Sequence, residues 1–283
     1  MEIKKVGVVG CGLMGRGIAE VSARAGHDVV VSEINQELLD KGLAAINASL
    51  TTAVGRGKAT EADKAAALGR IKGTIETGNF KDCDLVVEAA VENLELKKKV
   101  FADLDKICPE HAILASNSSC LSILDMAMMT KKPDKVLGMH FFNPVPVMRG
   151  LELVKTILTS DETLKAADSF GKSIGKTVFT AQDAPGFITN RLFIPFALDA
   201  IRLLEAGFAT KEDIDQAIVL GLNHPMGPLT LSDYVGLDTT YFIAEAMYEE
   251  FKDPRYAPPP LLKKMVTAGQ FGRKSGKGFY DYK

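Results

Sequence analysis

The chain has 283 residues, 46% of them hydrophobic and 25% charged, with a formal net charge of -2. It is long enough for one large domain or two ordinary ones, and its charge leaves no footprint for nucleic acid or an anionic membrane. No window reaches the roughly 18 uninterrupted apolar residues of a membrane helix, and MEIKKVGVVGCG enters a strand without room for a signal peptide. The four cysteines (Cys11, Cys83, Cys108, Cys120) lack metal-ligand spacing, so no metal is expected, and a soluble, reducing, cytoplasmic setting is.

Lys5 to Val9 is a short β-branched run, followed by Gly10-Cys11-Gly12-Leu13-Met14-Gly15. A helical pattern through Ile18, Ala19, Val21 and Ala25 runs to Gly26, and a second strand, His27 to Ser32, ends in Glu33. Strand, Gly-x-Gly-x-x-Gly, helix, strand and acidic residue within one unit form a dinucleotide-binding fingerprint. Gly10 allows the tight turn, Gly12 lets the backbone approach a pyrophosphate, and Gly15 lets the helix lie close to the strand. The helix N-terminus around Leu13 and Met14 offers free N–H groups to phosphates. Glu33 is placed to accept both ribose hydroxyls and to repel a 2′-phosphate. NAD is therefore favoured over NADP, which stays open because a nearby basic residue can override one carboxylate.

Residues 36 to 70 read as an inserted helical hairpin, broken around Gly55-Arg56-Gly57. Its exposed face carries Ser49, Arg56 and Lys58, which either meet a ligand's phosphates or form a solvated face. Asp84 to Glu88 reads as a buried strand leading into Glu92 and Lys97, candidate polar contacts for a cofactor lying along strand ends. The basic run Lys97 to Lys99 sits in a helical pattern and reads as a solvated face. Ala112 to Ala115 is a further short strand, ending in Ser116-Asn117-Ser118-Ser119, whose hydroxyls suit either a helix cap or a site.

Val136 to Met139 delivers His140 at the head of HFFNPVPVMRGLELV, with Glu152 between Leu151 and Leu153. A histidine and a carboxylate brought together by apolar scaffolding suit general acid–base work, because the carboxylate fixes the tautomer and stabilises the charged imidazole. The alternative is a core histidine bonded to backbone, with Glu152 exposed. Val154 to Leu158 and Thr177 to Phe179 read as strands, with a helix from Leu164 to Ile174 between them. The order fits an α/β fold with a Rossmann-type, doubly wound, mainly parallel sheet over residues 1–183.

Ala184-Pro185-Gly186-Phe187 marks a boundary, after which strand patterns vanish and an all-α domain over 184–283 is expected. Ile188 to Ala206 reads as an apolar helix with Asn190 near its start, where the amide either caps, bonds across domains or meets a substrate oxygen. Thr210 to Asp213 resembles a capping box, and helical patterns follow at 229–235, 238–251 and up to Ala268. Helices this apolar have more surface to bury than about 100 residues can hide alone, so a homodimer through residues 190–250 is expected. The tail, Phe271 to Tyr280, is a glycine-rich basic loop.

With VGVVGCGLMGRGIA, DLVVEAAVENLELK, ASNSS, GMHFFNPVPVM, DAPGFITNR and FGRKSGKGFYDY in family order, the chain resembles the L-3-hydroxyacyl-CoA dehydrogenase family over essentially its whole length. The resemblance is nearest to the short bacterial branch acting on 3-hydroxybutyryl-CoA. It implies that His140 is the general base and acid, that Glu152 orients and charges it, and that Ser119 and Asn190 bind the substrate's C3 oxygen and thioester region. It further implies cofactor contacts from Glu33, Glu92, Lys97, Ser119, Asn143 and Lys274, and contacts from Ser49 and Arg56 to the CoA moiety. The implied reaction is NAD(P)-dependent interconversion of 3-hydroxybutyryl-CoA and acetoacetyl-CoA. A dehydrogenase of a free 3-hydroxy acid and a non-catalytic structural relative are the alternatives on the same fold. One departure stands out: Arg149-Gly150 stands where the resemblance leads one to expect a Lys-Leu or similar pair before the glutamate, with the His-to-Glu spacing kept.

Overall fold

The structure is a computed structural model that describes residues 2–282. It divides into two compact units, Met1–Asp183 and Ala184–Lys283. In the first unit the elements run β1 (Lys5–Val9), α1 (Leu13–Arg24), β2 (Asp28–Ser32), α2 (Gln36–Gly55), α3 (Glu61–Arg70), β3 (Ile71–Thr74) and β4 (Leu85–Glu88). They continue as α4 (Leu94–Ile107), β5 (Ile113–Ser116), α5 (Ile123–Ala127), β6 (Val136–Phe141), β7 (Gly150–Lys155), α6 (Asp161–Ser173) and β8 (Thr177–Gln182).

The strands form one eight-stranded sheet in the order β3-β2-β1-β4-β5-β6-β7-β8, parallel throughout except between β6 and β7. Its inner strands are continuous apolar runs: every residue of β4, β5 and β6 is buried, as expected where helices cover both faces of a parallel sheet. The order reverses at β1, whose neighbours are β2 and β4, so the carboxyl ends of β1 and β4 frame the crevice where such sheets bind ligands.

The inserted hairpin is present as α2 and α3. Thr60 ends the turn between them: its Oγ1 accepts from the Asp63 N–H at 3.1 Å while the Asp63 carboxylate accepts from the Thr60 N–H at 2.8 Å, a reciprocal cap.

One local expectation is corrected, and one strand was not foreseen. The strand placed at 154–158 lies at Gly150–Lys155 instead, because antiparallel pairing with β6 sets Phe141 opposite Leu151 and Gly138 opposite Val154. β3 carries no strand signal in Ile-Lys-Gly-Thr, which has a single apolar residue; it forms because the short edge of β2 is open to pair with it.

The second unit is helical: α7 (Thr189–Glu205), α8 (Lys211–Gly221), α9 (Pro228–Val235), α10 (Leu237–Phe251) and α11 (Pro260–Thr267). The glycine-rich tail is docked rather than loose. Asp233, fully buried, accepts from the Phe279 N–H at 3.0 Å, the Tyr280 N–H at 2.9 Å and the Tyr282 hydroxyl at 2.9 Å. Among the described residues no helix is long and apolar enough to cross a membrane.

Candidate active site

The three fingerprint glycines answer to three different constraints. Gly10 sits at φ +93°, and a Cβ there would approach the Ala89 carbonyl oxygen to 2.9 Å; at Gly15 it would fall 1.9 Å from the Gly10 carbonyl oxygen. Both positions are closed by the protein itself. At Gly12 a Cβ would meet nothing within 4 Å, so no packing inside the chain asks for a glycine, whereas a phosphate lying against the backbone does. Gly12 is also the N-cap of α1, which has no side-chain cap and no acidic residue in its first turn. The N–H groups at Leu13 and Met14 thus keep the dipole end that favours an anion. These residues fit a bound dinucleotide pyrophosphate.

Glu33 stands beside this loop at the end of β2. Its Oε1 accepts from the Cys11 N–H at 2.7 Å and its Oε2 from the Ile34 N–H at 3.0 Å. Between the glycines, Cys11 is buried, and burial followed by the Glu33 charge pushes its thiol up to about 11. It is a packing residue against α2, where a Cβ on Gly42 would come within 2.3 Å of its sulfur.

At the other side of the crevice a chain of polar contacts leads from β4 to β7. Glu88 ends β4 fully buried; its Oε1 accepts from Lys97 Nζ at 2.6 Å and from the Ala90 N–H at 2.7 Å, and its Oε2 from the Ser116 hydroxyl at 2.7 Å. Lys97 Nζ also lies 3.4 Å from Glu92 Oε2 and 3.3 Å from the Ala90 carbonyl oxygen. Glu92 in turn accepts from the Ser118 hydroxyl and from the Ser119 N–H at 2.9 Å. Ser119 Oγ is 3.2 Å from His140 Nε2, and His140 Nδ1 is 2.6 Å from Glu152 Oε2.

The last contact follows from the topology. His140 and Glu152 are opposite each other in the antiparallel β6–β7 ladder, where facing side chains come into contact. His140 is 5% and Glu152 0% exposed, which removes the alternative of a solvated glutamate. Were Glu152 ionised and the imidazole neutral, the carboxylate could only accept, which would put the proton on Nδ1 and the lone pair of Nε2 toward Ser119.

Other groups hold the imidazole in place. The Asn117 side-chain oxygen accepts from the Phe141 N–H at 3.0 Å, and the Phe142 ring lies 4.9 Å from the imidazole, centroid to centroid. Gly150 accommodates that ring: a Cβ there would sit 3.2 Å from Phe142 and 3.3 Å from Phe179. Despite the Arg149-Gly150 departure, β7 pairs regularly, Gly150 facing Thr177.

Sequence reasoning passed over Glu88, Asn117 and Phe142, left Ser118 between a helix cap and a site, and placed Lys97 both among the cofactor contacts and in a solvated run. Lys97 is 1% exposed. The signal was available: Lys97, Phe101 and Leu104 fall at helical spacing on the buried face of α4.

The remaining candidates are scattered. Asn143 is exposed in the loop after β6 and lines a cavity of about 120 Å³ with Leu13, Arg16, Glu20 and Ser49, so this loop reaches the start of α1. Ser49 is half-buried rather than on the hairpin's exposed face, because α2 packs this side against α1. Arg56, the C-cap of α2, is exposed. Asn190 is the second residue of α7 and half-buried, in the second unit. Lys274, in the same unit, places Nζ 2.5 Å from Asp238. No group of three or more His, Cys, Asp or Glu side chains suited to a metal ion occurs among the described residues.

Residues 5–184 match the family model for the 3-hydroxyacyl-CoA dehydrogenase NAD binding domain, and residues 186–282 match the model for its C-terminal domain. The chain is 51% identical over 282 residues to a 3-hydroxybutyryl-CoA dehydrogenase of Mycobacterium tuberculosis, covering 99% of each. It is 46% identical to the human mitochondrial hydroxyacyl-coenzyme A dehydrogenase, over 99% of this chain and 92% of that one. The crystal structure of (S)-3-hydroxybutyryl-CoA dehydrogenase from Ralstonia eutropha superposes with a TM-score of 0.96 at 45% identity, covering all of both chains.

Proposed function

Because the chain belongs to the 3-hydroxyacyl-CoA dehydrogenase family, we propose that it interconverts 3-hydroxybutyryl-CoA and acetoacetyl-CoA through a His140/Glu152 acid–base pair. The observation that carries this reading is the buried contact of His140 Nδ1 with Glu152 at 2.6 Å, with Nε2 left facing Ser119. The glycine loop would hold the dinucleotide, which when bound would accept hydride as NAD in oxidation and donate it as NADH in reduction. His140 Nε2 takes the proton from the C3 hydroxyl in oxidation and returns a proton to that oxygen in reduction. Glu152 keeps the proton on Nδ1 and stabilises the imidazolium that forms. Ser119 and Asn190 donate hydrogen bonds to the C3 oxygen and the thioester region, where negative charge develops. Glu92, anchored by Lys97 and holding Ser119, keeps that hydroxyl in place and borders the cofactor; Asn143 and Lys274 complete the cofactor contacts, and Ser49 and Arg56 those to the CoA moiety.

The direct test is oxidation of NADH and NADPH in parallel with acetoacetyl-CoA as the other substrate. Rapid NADH consumption is expected; no consumption with either coenzyme overturns the reading. Glu33 is the coenzyme discriminator, since a 2′-phosphate would face its carboxylate. Glu33→Ala should therefore narrow the NADH-over-NADPH ratio of kcat/KM by about tenfold or more, the worth of one repulsive contact of about 1.4 kcal/mol. An unchanged ratio would remove Glu33 from that role.

The helical unit exposes Leu192 at 71%, Phe208 at 78%, Leu220 at 79% and Phe242 at 61%, large apolar side chains that a second copy of the chain would cover. This supports a homodimer through residues 190–250. Light scattering at micromolar concentration should give twice the chain mass of 30.5 kDa, and a monomeric mass would defeat the assignment.

A further inference from the structure

The first unit contains a second concave feature, a cavity of about 290 Å³ enclosed by the end of α1, residues 146–149 and residues 173–176. At 1.5 Å rise per residue, Arg24 at its wall is roughly 16 Å along the α1 axis from Leu13, far from the pyrophosphate end of that helix. Arg24, Arg149 and Lys176 line it, and no carboxylate does.

Lys176 is the built element. It is 8% exposed, and its Nζ donates to the Val145 carbonyl at 2.5 Å and the Met148 carbonyl at 2.7 Å. An ammonium has three N–H groups, so one is left for a ligand, and the two neutral carbonyls do not cancel the charge. Burial, then the charge of Arg24, disfavour the cation, which is the condition an incoming anion relieves. The acidic neighbour of Arg24 is Glu20, 3.6 Å away, and burial raises its pKa, weakening it as a counter-ion. Arg149 brings a planar fork that binds phosphate oxygens in pairs.

We propose that this cavity is a phosphate-binding site, taking inorganic phosphate or the phosphomonoester of a nucleotide. Its wall, Pro146 to Arg149, joins Asn143 to the strand bearing Glu152, so the ligand sits on the connection between the loop at the start of α1 and the proton-handling pair.

The test is calorimetric titration of the full chain with inorganic phosphate and, separately, adenosine 3′,5′-bisphosphate. Arg24→Ala and Arg149→Ala are compared with the wild type, with the urea midpoint of each variant measured alongside, since Arg24 is the cation beside buried Glu20. With the dinucleotide site filled by saturating NADH, one saturable phosphate site is expected, weakened about tenfold or more by each substitution, as for loss of a charge-assisted hydrogen-bond pair. Equal affinity for the two probes assigns free phosphate as the ligand. Tighter nucleotide binding that both substitutions weaken assigns a nucleotide-borne phosphate. No phosphate binding, or binding that neither substitution alters, overturns the proposal.

Discussion

Replacing His140 by glutamine should lower kcat by about 10²–10⁴-fold, the usual worth of a positioned general acid–base, while NADH binding stays within about twofold of wild type. Glutamine is the informative substitution. Glu152 is fully buried and its Oε2 is 2.6 Å from His140 Nδ1, so alanine would leave a buried carboxylate facing a void and confuse lost chemistry with lost stability. A glutamine amide can still donate toward Glu152 yet cannot accept and release a proton near neutral pH. Steady-state kinetics with acetoacetyl-CoA and fluorescence titration of NADH separate the two effects. Turnover near the wild-type value would take the proton-transfer role away from His140. Glu152→Gln belongs to the same experiment: an amide can accept from Nδ1 but does not stabilise the imidazolium, so kcat should fall much further than KM rises.

The glycine loop and His140 are legible in the sequence because their constraints are local. Gly10 needs a positive φ, Gly15 needs the space beside the Gly10 carbonyl, and His140 follows a short apolar run of the kind that forms a buried strand. The pairing of His140 with Glu152 is a different kind of fact. It depends on β7 running antiparallel to β6 in one register, and spacing alone does not distinguish that from a parallel crossover. Reading the strand at 154–158 missed the pairing for this reason, although the two residues were already matched on chemical grounds.

Ser49 shows the opposite failure. Helical periodicity left it on the polar side of α2, yet that side faces α1, where Ser49 lines a cavity with Leu13, Arg16 and Glu20. Phe142 and Asn117 were invisible as site residues because an aromatic ring and an amide carry no chemistry until a neighbour is specified. The neighbours here come from residues 117 and 141 meeting across the sheet.

Lys97 supplies the largest expected effect on stability. Its side chain is 1% exposed beside a fully buried Glu88, and the two form a 2.6 Å ion pair. Lys97→Met removes the cation but keeps a long unbranched apolar stem, so the packing on α4 is retained and the carboxylate loses its charge partner. Breaking a buried pair from one side costs about 3–5 kcal/mol. The Ala90 N–H and Ser116 hydroxyl still donate to Glu88, which argues for the lower part of that range. Urea denaturation should therefore show the single variant less stable by about 3 kcal/mol, with the m-value unchanged. The double variant Lys97→Met with Glu88→Gln should recover part of that loss, because the uncompensated charge is gone while Ser116 and Ala90 keep an acceptor. A single variant as stable as wild type would mean that the Lys97 charge is not what neutralises Glu88. Activity supplies an independent reading of the same pair. Lys97 Nζ lies 3.4 Å from Glu92, which holds the Ser119 N–H at 2.9 Å, so losing the cation should loosen the segment that presents Ser119 to His140 and lower kcat even where the protein remains folded.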